Sequence, residues 1–209
     1  MAMNGTFEGG DAATQRRQVT GTLGVVDTLA VALVLGVHPF GSTGLYDDGP
    51  RFVEHVGVLW VVIHVVGAVL LLAIPVVTAG WAETLRTPAS QVFGRLTVTV
   101  SVVGVALAVL HLVGTDTMTF LAYEDTLASG VDGADVGADV LLRVHAATLM
   151  GWVMTMFVAV PLGAAVATAS DHDWTWRFWL PLATAVVAVA SVSVTLVAYP
   201  GETFRGRVA

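Results

Sequence analysis

Cysteine is missing from all 209 residues. That removes disulfides, thiolate zinc sites, iron–sulfur ligation and cysteine catalysis. Lysine is missing too, and all nine basic residues are arginine. A retinal Schiff base and a P-loop lysine are therefore excluded. Charged residues make up only 12% of the chain, against about 25% in an ordinary soluble domain. The net charge is −7, the wrong sign for a nucleic-acid partner. No Gly-x-Ser-x-Gly occurs, so a nucleophile elbow is absent. What the chain has in quantity is apolar residues, 56% of the total, with a mean hydropathy of +0.80. This is the composition of an all-α, polytopic membrane protein, with the lipid bilayer as its first partner.

Crossing the hydrocarbon core takes about 20 apolar residues. Five stretches qualify: 19–37, 52–80, 93–114, 140–169 and 176–199. They are continuous runs of Val, Ala, Leu and Gly rather than alternating strands, and in lipid such runs close their own backbone bonds as helices. The expected architecture is one transmembrane domain, 19–199, between polar tails 1–18 and 200–209. Spans two to five form a four-helix bundle, with the first helix added at its side. Pro75 and Pro161 fall late in long spans and are expected to kink them. Arg16 and Arg17 precede the first span and favour a cytoplasmic N-terminus in a multi-pass cell-membrane protein. Read as a signal peptide, the same first span would be removed. The loop 115–139 carries Asp116, Glu124, Asp125, Asp132, Asp135 and Asp139 and no basic residue. It reads as a solvated acidic loop, since its aspartates lack the spacing of a calcium-binding EF-hand. Acidic residues paired with arginine alone resemble the composition of halophilic archaeal membrane proteins. Spans two and three also resemble spans four and five. Each pair opens near a histidine and carries a late proline, and its second member begins with an aromatic (Phe93, Phe178).

Six histidines stand out in so apolar a chain. His172 lies in a polar loop, Asp171-His172-Asp173. The others lie in or beside spans, where an ionisable group is costly and marks function by default. Helical spacing sorts them by face. Thr97, Ser101, Gly104, Ala108 and His111 form one stripe of the third span. His145, Thr148, Trp152, Thr155 and Ala159 form another on the fourth, and Gly57, Trp60, His64, Gly67 and Leu71 a third on the second. His64, His111 and His145 are expected to share one interior, with His64 one to two helical turns deeper. His55 is on the opposite face from His64, at the membrane edge.

Two histidines on facing helices suit the axial positions of a non-covalent haem b. Gly104, Ala108, Gly57 and Gly67 would form the slot, and Arg143 would meet a propionate. The same His64, His111 and His145 could instead hold another metal, with Glu54 and His55 as further donors. A third reading has no cofactor, each histidine being bonded to the next helix. Met150, Met154 and Met156 are candidate axial ligands or core filler. Asp27 and His38 share a face of the first span and form a candidate proton relay.

The run His64, Leu70-Leu71-Leu72-Ala73-Ile74, then Phe93-Gly94, resembles the opening helices of the large subunit of cytochrome bd quinol oxidase. The resemblance implies His64 as a haem ligand. The chain departs from that family where it has Leu110-His111-Leu112-Val113-Gly114 in place of an acidic Glu-Phe-Gln-Phe-Gly segment. The expected function is a b-type haem protein or small respiratory-complex subunit, working with other membrane subunits. It would pass electrons between a quinol and a partner rather than act as a complete enzyme. The alternative is a cofactor-free scaffold, anchor or transport subunit, with Thr97, Ser101, Gly104, Thr148 and Thr155 as helix–helix glue.

Overall fold

The computed structural model describes residues 7–36, 54–121, 124 and 138–198. Every element among them is helical. We number five helices. α1 is Phe7–Gly36; α2 is Leu59–Ala82; α3 is Pro88–Leu121; α4 runs from Ala138 to Ser170; α5 is Trp176–Ala198. Four apolar helical stretches are long enough to cross a membrane: Leu59–Ala82, Pro88–Leu121, Ala147–Ser170 and Trp176–Val194. Their outward faces carry large apolar side chains such as Val69, Val92, Leu96, Val103 and Val187. A surface of that kind belongs in lipid.

The starts and bends of α2, α3 and α4 have readable reasons. The turn at Gly57 has φ +59, a left-handed conformation that glycine adopts without a Cβ penalty. It sets the beginning of α2 at Leu59 rather than at the expected residue 52. α2 is broken at Leu72, between Leu59–Leu71 and Ala73–Ala82. The proline ring of Pro75 displaces the carbonyl of residue 71, four positions back, so the kink falls where that bond is lost. α3 begins with Pro88 in its first turn and Thr87 as N-cap. The Thr87 hydroxyl accepts from the Ser90 N–H, and the Ser90 hydroxyl accepts from the Thr87 N–H. In α4 the turn Thr155–Ala159 is π-helical and leads directly into Pro161.

The main contacts follow chain order: α1 lies on α2, α2 on α3, α3 on α4 and α4 on α5. The expected bundle of spans two to five is therefore a succession of neighbours with α3 at its centre. Small residues make these approaches. A Cβ on Gly163 would sit 2.5 Å from Thr97 Oγ1, and one on Gly94 would sit 2.5 Å from Leu85 Cδ1. The stripes of the second and third spans face inward as expected, whereas that of the fourth is buried at Thr148 and exposed at Ala159. Trp60, His64 and Leu71, then Thr97, Ser101, Gly104, Ala108 and His111, then Thr148, are all buried. Their hydroxyls mostly turn back on their own helices: Thr97 donates to Phe93 O, Ser101 to Val98 O and Thr155 to Gly151 O. This is local satisfaction; Thr148 also reaches across to His111, whose Nδ1 is 3.3 Å from its Oγ1.

Two boundaries are corrected. Residues 7–18, read as a polar tail, are helical and continue into α1. The third span does not stop at Gly114 but runs to Leu121, because a widened turn carries Asp116 back into the protein.

Candidate functional site

The third helix changes geometry over Leu110–Thr117, where it is π-helical. A π-turn bonds residue i to i+5, which places His111 and Asp116 one above the other. On an α-helix, five residues correspond to about 140° of rotation, so the two would point apart. Threonines mark the widened turn. Thr115 donates to His111 O at 2.6 Å, and Thr117 donates to Leu112 O, five residues back, at 2.8 Å.

Asp116 is only 4% exposed and lies among three imidazoles from three helices. The Nδ1 of His145 on α4 is 2.7 Å from its Oδ1. The Nε2 of His64 on α2 is 3.4 Å from its Oδ2, and the Nε2 of His111 is 3.6 Å from the same oxygen. The rings of His111 and His145 are 4.6 Å apart between centroids. The Asp116 carbonyl also accepts from the Trp60 indole N–H at 3.4 Å.

Outer partners fix which nitrogen of each ring points inward. His64 Nδ1 is 2.8 Å from Trp60 O. A carbonyl can only accept, so Nδ1 carries a hydrogen, and Nε2 is turned towards Asp116. His111 Nδ1 is 3.3 Å from Thr148 Oγ1. That hydroxyl donates to the backbone at Val144 O, 2.8 Å, or His145 O, 3.0 Å. It is therefore the acceptor for His111, whose Nε2 also faces Asp116 Oδ2. An imidazole held by a carbonyl or hydroxyl on its far nitrogen is the usual setting of a metal-ligating histidine.

The spacing fits a single ion. Ligand atoms around a tetrahedral zinc at about 2.0–2.1 Å stand roughly 3.3 Å from one another. Donor atoms of His111, Asp116 and His145 all lie within 4.8 Å of one another, and all three residues are buried or half-buried. Access is one-sided. The side chain of His145 is 21% exposed, whereas those of Asp116 and His111 are 5% and that of His64 is 2%.

Of the expected site residues, His64, His111 and His145 come together. His64 is not deeper than the others, because α2 starts at Leu59 and places it about 8 Å along the helix. Asp116, assigned to a solvated loop, is the centre of the cluster. Of the expected macrocycle slot, Gly104 is packed, since a Cβ there would meet Met156 Sδ at 2.3 Å and Thr155 Cγ2 at 3.0 Å, whereas a Cβ on Gly57 would meet nothing within 4 Å. Met156 thus packs against α3 beside Gly104. His55 and His172 are exposed, and so is Glu54. Asp27 is buried, three residues beyond Gly24, which packs on Val77 of α2. Its expected relay partner His38 lies outside the described residues, as does the side chain of Arg143. Trp152 stacks on His111 at 5.7 Å, a neighbour the fourth-span stripe had already placed on that face.

No family model, curated protein or solved structure matches the chain.

Proposed function

We propose that this membrane protein binds one first-row transition-metal ion through His64, His111, His145 and Asp116. One observation carries the reading: two imidazoles whose far nitrogens are held by Trp60 O and Thr148 Oγ1 aim their near nitrogens at one buried carboxylate oxygen. Three imidazoles gathered around one buried carboxylate in an apolar interior are a donor set that a cation would unite. A set of imidazoles and one carboxylate, with no thiolate, suits zinc, iron, copper or nickel. An ion that exchanges in place would enter past His145, the most open of the four. A redox-active ion there would serve the electron-passing role expected from the sequence, and a redox-inert one a Lewis-acid role.

Haem is less well supported by the geometry. A porphyrin clamped by two histidines separates their rings with its own plane, whereas His111 and His145 are in ring contact with Asp116 beside them. The support for five spans is the length of α1, about 45 Å at 1.5 Å per residue, and its packing on α2. With a cytoplasmic N-terminus, the metal cluster lies towards the outer surface and the 83–87 and 171–175 turns towards the cytoplasm.

The test is metal analysis and visible spectroscopy of the detergent-purified protein, before and after reloading. One equivalent of metal per chain, lost in His111→Ala and Asp116→Asn, is the expected result. A sharp α-band on reduction would assign haem instead. Folded protein that takes up neither metal nor haem would leave the scaffold reading.

A further inference from the structure

Arg95 is an exposed arginine on a face of α3 that also carries large apolar side chains. Its neighbours on that surface are Val92, 63% exposed, and Leu96, 56% exposed; Val102 and Val103 continue it. Among the described residues no carboxylate pairs with Arg95, whereas Arg177 is held by Asp173 at 3.1 Å and by Thr84 at 2.6 Å. Gln91 and Thr99, one turn to either side, share the exposed face. They do not occupy the guanidinium: the Gln91 amide donates to Leu85 O and the Thr99 hydroxyl to Arg95 O.

The level of Arg95 can be placed. It lies seven residues into α3, about 10 Å below Pro88. The Asp171 carboxylate accepts from the Arg86 and Thr87 N–H groups, so the two turns lie at one height. Beside them are Trp174, Trp176 and Trp179, all more than half exposed. Tryptophans in such a ring sit at the headgroup level. Arg95 is thus rooted just inside the hydrocarbon boundary, and its stem can lie along the apolar face while the guanidinium rises to the headgroups.

We propose that Arg95 binds the phosphate of an anionic phospholipid at the leaflet facing the 83–87 and 171–175 turns. An unpaired cation rooted in hydrocarbon needs an anion, and a lipid phosphate offers guanidinium a two-pronged acceptor. Of the carboxylates in the turns, Asp171 is committed to Arg86, Thr87 and Ser90, and Asp173 to Thr175 and Arg177.

Delipidated protein titrated with phosphatidylglycerol or phosphatidylcholine and read by native mass spectrometry tests this. The unaltered protein is expected to retain phosphatidylglycerol in preference, and Arg95→Gln to lose about fivefold of that preference, the weight of one basic residue at an anionic surface. Arg95→Lys keeps most of it, and Arg86→Gln keeps the site. Equal retention of the two lipids, or a preference that survives Arg95→Gln, overturns the proposal. So does a change of oligomeric state in Arg95→Gln with lipid retention unaltered, which would assign the face to a partner helix. The metal content of these variants is read separately and does not enter the outcome.

Discussion

The two ends of the helical assembly are held in opposite ways. At the turn end, every polar group drawn into the contact has a matched partner. Asp171 accepts from Arg86 N–H, Thr87 N–H and the Ser90 hydroxyl at 2.8–3.0 Å, and the Thr87 hydroxyl donates to Ser170 O. Arg177 spans from Asp173 to Thr84. At the histidine end, three imidazoles crowd one buried carboxylate and the helix widens to allow it. One end is built to close a structure, while the other stores a polar arrangement that an ion would complete. Sites whose local chemistry conflicts with stability are where function is expected.

The sharpest way to break that contrast is at its centre. Asp116→Asn keeps the shape of the side chain and removes the anionic donor. The expected loss of metal affinity is more than about 100-fold, beyond what removal of an outer partner costs. Isothermal titration of the detergent-solubilised protein reads it. Unaltered affinity would show that the carboxylate is not a ligand. Thr148→Val is the finer probe, since it removes only the acceptor that orients His111. It is expected to weaken metal binding by about 10- to 100-fold with the helix content unchanged.

The helix contacts between the two ends come next. Gly163→Ala puts a methyl 2.5 Å from Thr97 Oγ1, and Thr97 is buried with its hydroxyl already bonded to Phe93 O. Overpacking of this kind costs about 1–3 kcal/mol, to be read as a lower unfolding temperature with metal stoichiometry retained. If metal is lost as well, α3 and α4 transmit strain along their length.

Much of this was legible, and the misses have physical causes. Continuous apolar runs placed spans two to five, with ends that differ by up to seven residues. Period-3.6 stripes brought His64, His111 and His145 to one interior, because burial and helical spacing are properties of the local sequence. Asp116 was not legible, since the rule that reads faces assumes 100° per residue and a π-turn breaks it. The available signal was Met118-Thr119-Phe120-Leu121, an apolar continuation that keeps the helix going past the aspartate. The depth of His64 was misjudged because Gly57 starts the helix late, by a left-handed turn that hydropathy does not register. The small residues at Gly104 and Ala108 were read as space for a cofactor. Small residues also let helices meet, and Met156 fills that space.

At the turn end the effects are smaller and turn on acid. The Asp171 carboxylate is partly desolvated, which acts against its charge. The bonds from Thr87, Arg86 and Ser90, with the Arg86 charge, outweigh this and hold its pKa below the ordinary 3.8. A lowered pKa means that the contribution is complete above the unfolded value and fades as the pH falls through the folded one. The unfolding temperature of the unaltered protein should therefore exceed that of Asp171→Asn at pH 6, with the gap closing below about pH 4. A gap that persists in stronger acid would show that the geometry of the turn, not the charge, is what Asp171 supplies.

The smallest expected change is a gain. α4 ends in a Schellman arrangement: Asp173 N–H donates to Thr168 O and His172 N–H to Ala169 O, both at 3.0 Å. The residue at the left-handed position of that motif is usually glycine. Here it is His172, at φ +58 and exposed. The same reasoning that makes buried histidines costly assigns this one no ligand role, only a Cβ in a crowded conformation. His172→Gly should raise stability by up to about 1 kcal/mol, read as a higher unfolding temperature with metal content unchanged. A loss of metal in His172→Gly would connect the two ends after all, because nothing at the turn touches the cluster directly.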